Sequence, residues 1–516
     1  MQYDLIVIGA GPGGYVAAIR AAQLGLKTAV AERAEVGGTC LNRGCIPTKT
    51  LMHSANLYRE IGEAGKMGVN VTGAEADFKA MHARKAQVVE QLRGGVAQLL
   101  KGNGIDVLEG EAAFVSPESI TVSGETYTAK NFIIATGSKP AVPPIPGADL
   151  HNVVTSDEML DTDSCDYNEL VIIGGGVIGV EMAGVYNGIG RKVTIIEALD
   201  RILANMDREI SQNLSMILKK RGVAVNTGAM VTGITQEGGR LTCTFERKGK
   251  TESVSADGVL ICVGRRAVTE GLNLEAAGVE TERGRVKVGE GYKTNVPHIY
   301  AIGDVTGGIQ LAHAAEAQGI ACVEGICGLA PTVDANLVPS CVYTSPEIAT
   351  VGITADEAKA QGRAVITGKY VMSGNGKSII ENEDRGFIKL VFDAETEKLI
   401  GAQLMCGRAT DMIGEMVTAV SAGLTKAQLA AEDWGKDPCA VDYGALYTAR
   451  YRVLRAAYAA WRDKCAGLYG CEHYYPDEFY AFTLSNEDWL EDYALYMALK
   501  TAHRMTGWTQ WPQPLR

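Results

Sequence analysis

A repeated glycine pattern constrains this chain more than anything else in it. Ile6-Val-Ile-Gly-Ala-Gly-Pro-Gly-Gly14 near the start matches Ile172-Ile-Gly-Gly-Gly-Val-Ile-Gly179 further on. In each copy an apolar strand runs into GxGxxG, a helical stretch follows, and a second strand ends on an acid. Those second strands are Thr28-Ala-Val-Ala-Glu32 and Val193-Thr-Ile-Ile-Glu197, and from first glycine to acid is 23 residues in both. This is the βαβ dinucleotide-binding pattern, present twice.

Each glycine has a physical task. Gly9 and Gly174 permit the tight turn, and Gly11 and Gly176 let the backbone approach a pyrophosphate. Gly14 and Gly179 let the helix pack on its strand, so that its N-terminal N–H groups face the phosphates. Glu32 and Glu197 are placed to accept from ribose hydroxyls. A carboxylate at Glu197 repels a 2′-phosphate, so NAD is expected there rather than NADP. A lone GxGxxG is weak evidence, because glycine-rich turns are common. Two copies with matched acid offsets are strong.

With 516 residues the chain has room for three or four domains, and its 61 glycines suit α/β domains that approach a cofactor closely. The net charge of −12 comes without a basic block, so no nucleic-acid partner is expected. The most apolar run, Leu170 to Val180, holds 11 residues and four glycines. A spanning helix needs about 20 apolar residues, so no membrane segment is expected. The N-terminus opens directly into a strand-like run, which leaves no signal peptide and implies a cytoplasmic protein. The 12 cysteines then read as one redox pair and several buried thiols.

That pair lies in Gly37-Gly-Thr-Cys-Leu-Asn-Arg-Gly-Cys-Ile-Pro-Thr-Lys49. Cys40 and Cys45 stand close after the first ribose-type acid, where a helix start would lower a thiol pKa. A zinc site needs two more nearby ligands, and none appears, so no metal is expected. Cys322 and Cys327 share the spacing in a bland Ala/Gly-rich stretch and read as buried packing thiols.

The segment GGTCLNRGCIPTK resembles the redox-disulfide signature of the flavoprotein pyridine nucleotide–disulfide oxidoreductases, and within them it is most similar to dihydrolipoamide dehydrogenases. Further motifs agree in order. Ala135-Thr-Gly-Ser-Lys-Pro140 and Val263-Gly-Arg-Arg266 resemble the crossovers between FAD and NAD domains. Thr294 to Asp304 resembles the second FAD motif, Leu311-Ala-His-Ala-Ala-Glu316 a helix start at the flavin, and Val338 to Glu347 the start of a dimer-interface domain. His313 is given no proton chemistry.

The resemblance implies an α/β fold with two Rossmann-like domains, an α+β interface domain and a mostly helical, foreign C-terminal segment. The implied divisions are an FAD-binding part at 1–149, an NAD-binding domain at 150–270, a second FAD part at 271–336 and an interface domain at 337–429. Residues 430–516 form the foreign segment. Carried over, Cys40 exchanges with substrate, Cys45 faces the flavin, and Lys49 pairs with Glu181 near the nicotinamide. FAD contacts are implied for Gly9, Gly11, Gly14, Glu32, Arg33, Gly38, Thr39, Lys49, Ala112, Thr136, Gly137, Asp304 and Ala312. NAD contacts are implied for Gly174, Gly176, Val177, Ile178, Gly179, Glu181, Glu197, Val231 and Gly264. The implied substrate is a dihydrolipoyl group on an acyltransferase or carrier protein, and the implied assembly is a homodimer.

The pattern breaks at the end. The family closes its interface domain with His-Pro-Thr-x-x-Glu, whose histidine serves as base. Here Ala422-Gly-Leu-Thr-Lys-Ala-Gln-Leu429 leads into Ala430-Ala-Glu-Asp-Trp-Gly-Lys-Asp-Pro-Cys439. His473 and Glu478 repeat the dyad spacing in a different context and read as coincidence. Composition shifts at the same place. All five tryptophans and 17 of 33 aromatics fall in the last 87 residues, with only 5 of 61 glycines, which puts a junction near 430. Tyr443, Tyr447, Leu454, Tyr458 and Trp461 recur at helical spacing, as does Trp489 to Lys500, and these stripes read as packing faces.

Val441-Asp-Tyr443, Arg450 to Tyr458, Trp489 to Lys500 and Trp511 to Arg516 resemble an internal stretch of amylomaltase, a 4-α-glucanotransferase. The barrel start and catalytic carboxylates of that family are missing, so transferase activity is not expected. Two other readings stand beside the dehydrogenase. One is an NADH–dye or quinone diaphorase that has lost its substrate base. The other is a non-catalytic fusion whose tail binds glucan or protein.

Overall fold

A computed structural model describes residues 2–430 together with 451–452, 454–456, 458–459 and 462. The chain divides into two units, Met1–Ala449 and Arg450–Arg516.

The first glycine repeat builds a parallel sheet. Strand Gln2–Ile8 pairs in parallel with Thr28–Glu32 on one side and Glu125–Ile134 on the other. Leu5, Ile6 and Val7 are fully buried, because helices and loops cover both faces of the sheet and no alternation is needed. Strand Ile299–Ala301, almost three hundred residues on, joins the same sheet by pairing with Glu125–Ile134.

The second repeat builds another parallel sheet in the order Ala224–Thr227, Lys192–Glu197, Glu169–Ile173, Gly258–Ile261, Val153–Thr155. The two connecting segments pair with each other, Ser138–Pro140 antiparallel to Arg265–Ala267. The motifs that resemble crossovers are therefore two strands of one ribbon.

The last described region is a five-stranded antiparallel sheet in the order Ser340–Val342, Glu347–Gly352, Leu399–Cys406, Phe387–Asp393, Val365–Val371. Helix Ala409–Ser421 covers it, with Ala409 and Ile413 packed among Ala349, Val351 and Leu404. The described positions between 451 and 462 are helical, as the spacing predicts. Leu454 and Tyr458 are nevertheless 40% and 45% exposed, so these two members of the stripe are not a buried face. Tyr443, Tyr447, Trp461, His473, Glu478 and the helix expected at 489–500 lie outside the described residues.

One buried ion pair locks the antiparallel sheet to the second nucleotide-type unit. Lys389 Nζ lies 2.8 Å from Asp207 Oδ2 and 3.2 Å from Glu209 Oε1, with Lys389 and Asp207 only 9% and 3% exposed. Asp207 also caps helix Arg208–Lys220 by accepting from Glu209 N at 2.8 Å. Replacing Lys389 by Met leaves Asp207 buried without its cation. The expected cost is about 3–5 kcal/mol, read as a lower urea midpoint. A variant unfolding at the parent's urea concentration would contradict this.

Candidate active site

The two glycine loops have nearly the same geometry. Gly9 and Gly174 have φ of 105° and 116°, a region that favours glycine, and a Cβ on either would lie 2.5 Å from a carbonyl oxygen of the neighbouring strand end, Ala135 or Cys262. A Cβ on Gly14 would meet Gly9 O at 1.8 Å, and one on Gly179 would meet Gly174 O at 2.0 Å. By contrast, the middle glycines face open space. Gly176 has no neighbour within 4 Å, and Gly11 has only Gly38 Cα at 3.9 Å. The first and third glycines are thus demanded by the protein itself, and the second keeps room for an approaching group.

The acids are held alike. Glu32 accepts from Ala10 N at 2.7 Å and Ala34 N at 2.9 Å. Glu197 accepts from Gly175 N at 2.6 Å and Leu199 N at 2.7 Å. Each carboxylate is fastened to its own loop before any ligand arrives. Gly9, Glu32, Arg33, Ala112 and Thr136 line one cleft, open to solvent, together with Gly110, Glu270 and Leu272. Gly38 backs directly on Gly11. Asp304 accepts from Ser138 Oγ, and Ser138 is in turn held by Arg265, whose Nε and Nη2 each donate at 2.7 Å. Thr39 sits in the short helix Gly38–Arg43, Gly137 adjoins Ser138, and Ala312 opens helix Ala312–Ile326.

These residues fit a dinucleotide such as FAD, with phosphate room at Gly11, a ribose-type acid at Glu32 and a cleft beyond it. The second loop, with Val177 and Ile178 at the start of helix Val177–Gly188, fits a second dinucleotide. Val231 is buried in the core of the antiparallel sheet beside this unit, and Gly264 follows its strand Gly258–Ile261.

The thiol pair lies on the segment from Gly38, which backs on Gly11, to helix Cys45–Glu63, which packs against helix Val177–Gly188. Cys45 is the first residue of helix Cys45–Glu63, and Lys49 is one turn further on the same face. Cys40 and Cys45 are free thiols that strongly influence each other's ionisation. Cys45 is pulled down to about 7, first by the hydrogen bond from Cys40 and then by the Lys49 ammonium, against the effect of burial. Cys40 is pushed up by that same bond and by burial. Ionisation is therefore favoured at Cys45 over Cys40. The other described cysteines (165, 243, 262, 322, 327, 341 and 406) are all pushed up, mainly by burial. Cys322 is buried, as the sequence suggests. Cys327 is half-exposed instead, because it sits at the end of its helix.

Lys49 Nζ donates to both oxygens of Glu181, at 2.9 and 2.7 Å, and Glu181 is 3% exposed. Burial works against the Lys49 charge, but Glu181 outweighs it and the ammonium pKa rises. Tyr343 completes the group: its N–H donates to Glu181 at 3.0 Å, and its ring lies 4.7 Å from Lys49 Nζ. Tyr343, Ser138 and Arg265 carry no signal of their own in the sequence, although all three lie within family-like motifs. His313 Nε2 is 2.6 Å from Pro339 O, a fastening role.

Residues 3–319 match the family described as pyridine nucleotide-disulphide oxidoreductase, and residues 338–442 match that family's dimerisation domain. Residues 408–516 match 4-alpha-glucanotransferase, so the two matches overlap between 408 and 442. A dihydrolipoyl dehydrogenase of Bacillus subtilis is 43% identical over 449 residues, covering 84% of this chain and 93% of the relative. One from Geobacillus stearothermophilus is 41% identical over 440 residues, covering 83% and 92%. The solved structure of the HOCl-induced flavoprotein disulfide reductase RclA from Escherichia coli matches with a TM-score of 0.75 at 30% identity, covering 87% of this chain and 99% of that one.

The hydrogen bond from Cys40 is the largest influence lowering Cys45, so removing the donor is a direct test. In Cys40→Ala the midpoint for Cys45 alkylation by iodoacetamide should move up from about 7 toward the ordinary thiol value of 9.0. An unmoved midpoint would show that Lys49 and the helix start suffice.

Proposed function

The chain belongs to the pyridine nucleotide–disulphide oxidoreductase family, and from that premise we propose that it acts as a dihydrolipoyl dehydrogenase, passing electrons from a dihydrolipoyl group on an acyltransferase or carrier protein to NAD. The family's cofactors are FAD and NAD(H). The observation that carries the reading is the polarised thiol pair beside the Lys49–Glu181 ion pair.

In this reading Gly9, Gly11, Gly14, Glu32, Arg33, Gly38, Thr39, Ala112, Thr136, Gly137, Asp304 and Ala312 hold FAD, with Lys49 beside it. Gly174, Gly176, Val177, Ile178, Gly179, Glu181, Glu197, Val231 and Gly264 serve NAD. The FAD-binding parts are 1–149 and 271–336, the NAD-binding domain is 150–270, and the interface domain is 337–429. When bound, the flavin supplies a two-electron relay between a dithiol and a nicotinamide. Cys40, kept protonated, is the thiol that exchanges with substrate. Cys45, kept as thiolate, is the sulfur turned toward the flavin. Lys49 stabilises that thiolate, and Glu181 with Tyr343 fixes Lys49. Glu197 offers its carboxylate to ribose hydroxyls and repels a 2′-phosphate.

The match to a dimerisation domain supports a homodimer. So do exposed apolar side chains on the antiparallel unit, Ile366, Tyr370 and Val371 on strand Val365–Val371 and Ile379 and Ile380 on the helix after it. Among the described residues no helix is long and apolar enough to cross a membrane. We assign the protein to the cytoplasm.

One observation favours a second reading, a diaphorase that reduces dyes or quinones with NADH. The sequence after Leu429 has no His-Pro-Thr-x-x-Glu. A positioned base contributes about 10²–10⁴-fold to a proton transfer of this kind.

A single set of assays tests both readings. NADH–dye activity should be intact, with lower kcat/KM for NADPH than for NADH. Dihydrolipoamide oxidation with NAD should be slow, and grafting a family tail with His-Pro-Thr-x-x-Glu at about residue 430 should raise it by up to about 10²–10⁴-fold. Fast dihydrolipoamide turnover without the graft would contradict the missing-base argument. No turnover after grafting, with the dimer intact, would contradict the dithiol reading. NADPH used as well as NADH would overturn the role of Glu197.

A further inference from the structure

Gln318 has no part in the roles above, yet it ties together two segments that the FAD reading assigns to the cofactor. It stands in the second turn of helix Ala312–Ile326. Its Oε1 accepts from Gly303 N at 2.7 Å. Gly303 is buried and opens the short turn Gly303–Thr306, which carries Asp304. Thr306 Oγ1 closes the same turn by donating to Gly303 O at 2.9 Å. The Gly303 N–H thus ends on a side chain from another element and not on backbone.

The helix that carries Gln318 is itself fixed against the first glycine loop. A Cβ on Gly13 would lie 3.0 Å from Ala315 O, and one on Gly319 would lie 2.7 Å from Gly13 O. Helices Pro12–Gln23 and Ala312–Ile326 therefore meet backbone to backbone, and Gly11 is the N-cap of the first. Ala315 also touches the turn, since a Cβ on Gly303 would lie 3.1 Å from Ala315 Cβ. Gly303 has φ of 71°, a conformation that favours glycine, so the turn reaches the helix with no side chain between them. Ala315 and Gln318 are three residues apart and share one helix face. Packing brings the turn to that face, and the Gln318 bond fixes its direction. Asp304 is thereby held at two points. Ser138 Oγ donates to its carboxylate, and Gln318 holds the residue before it.

We propose that Gln318 is a positioning residue for FAD: it fixes the Asp304 turn relative to the first glycine loop, so that one dinucleotide meets both. The proposal rests on the FAD-binding reading above. Without the acceptor, the buried Gly303 N–H is left unpaired, and the turn shifts to find it a partner. Asp304 moves with the turn. Glu32 stays, because it is tied to Ala10 N and Ala34 N of its own loop. A ligand that needs both segments then loses affinity, and one that needs only the loop and its cleft does not. Asp304 is not one of the walls of the cleft around Glu32.

The test uses the full chain freed of flavin and reads binding, not turnover. FAD and ADP are titrated separately by calorimetry. ADP carries a ribose for Glu32 and phosphates for Gly11, and nothing beyond them. In Gln318→Leu the Kd for FAD should rise about fivefold or more, the scale of one buried donor left unpaired. The Kd for ADP should match the parent's. Gln318→Lys offers donors and no acceptor, so it should weaken FAD binding in the same way. Gln318→Glu keeps an acceptor and should recover most of the FAD affinity. A general loss of fold would weaken FAD and ADP alike in Gln318→Leu and Gln318→Lys, and that result would overturn the proposal. So would unchanged FAD affinity in either variant, or no recovery in Gln318→Glu. If the parent chain does not bind FAD at all, the FAD reading falls, and this proposal with it.

Discussion

The Lys49–Glu181 ion pair is the contact on which the site depends. It joins the helix that begins at Cys45 to the helix that follows the second glycine loop, and Tyr343 of the antiparallel unit closes on the same carboxylate. Three regions distant in sequence therefore meet at one buried acid. The helices approach closely enough that a Cβ on Gly188 would lie 3.1 Å from Ala55 Cβ. A buried pair of this kind contributes little net stability, since both ions lose their water, but removing one partner is costly. Its value here is geometric. It holds a cation one turn from Cys45 and ties that helix to the one that follows the second glycine loop.

The thiol pair draws its asymmetry from that arrangement. Two cysteines in contact do not by themselves decide which ionises. Cys45 opens its helix and Lys49 stands one turn further along it. Lys49 and the helix start add to the mutual influence of the two thiols and favour the charge on Cys45.

What was legible in the sequence was local. The glycine loops could be read because their demands act within a few residues: Gly14 must clear the Gly9 carbonyl, and Glu32 and Glu197 tie back to their own loops. The spacing of Cys45 and Lys49 is equally local, one helical turn, although Lys49 itself came from the resemblance. The Lys49–Glu181 pair, 132 residues apart, came from family resemblance and not from any pattern in the chain. Tyr343 over Lys49 and Arg265 on Ser138 have no local signature, because tertiary packing alone creates them. The dimerisation-domain match runs to residue 442 and the glucanotransferase match begins at residue 408, so the two overlap across the composition shift.

The central claim is that the Cys45 thiolate, sustained by Lys49 and Cys40, is the sulfur that contacts the flavin. The most direct measurement is the visible spectrum of the FAD-loaded Cys40→Ser variant without any reductant. A long-wavelength thiolate–flavin absorbance should be present there and absent from Cys45→Ser, although both bind FAD. A Cys40→Ser protein that binds FAD and lacks that absorbance at a pH well above 7, or a Cys45→Ser protein that shows it on reduction, would contradict the assignment.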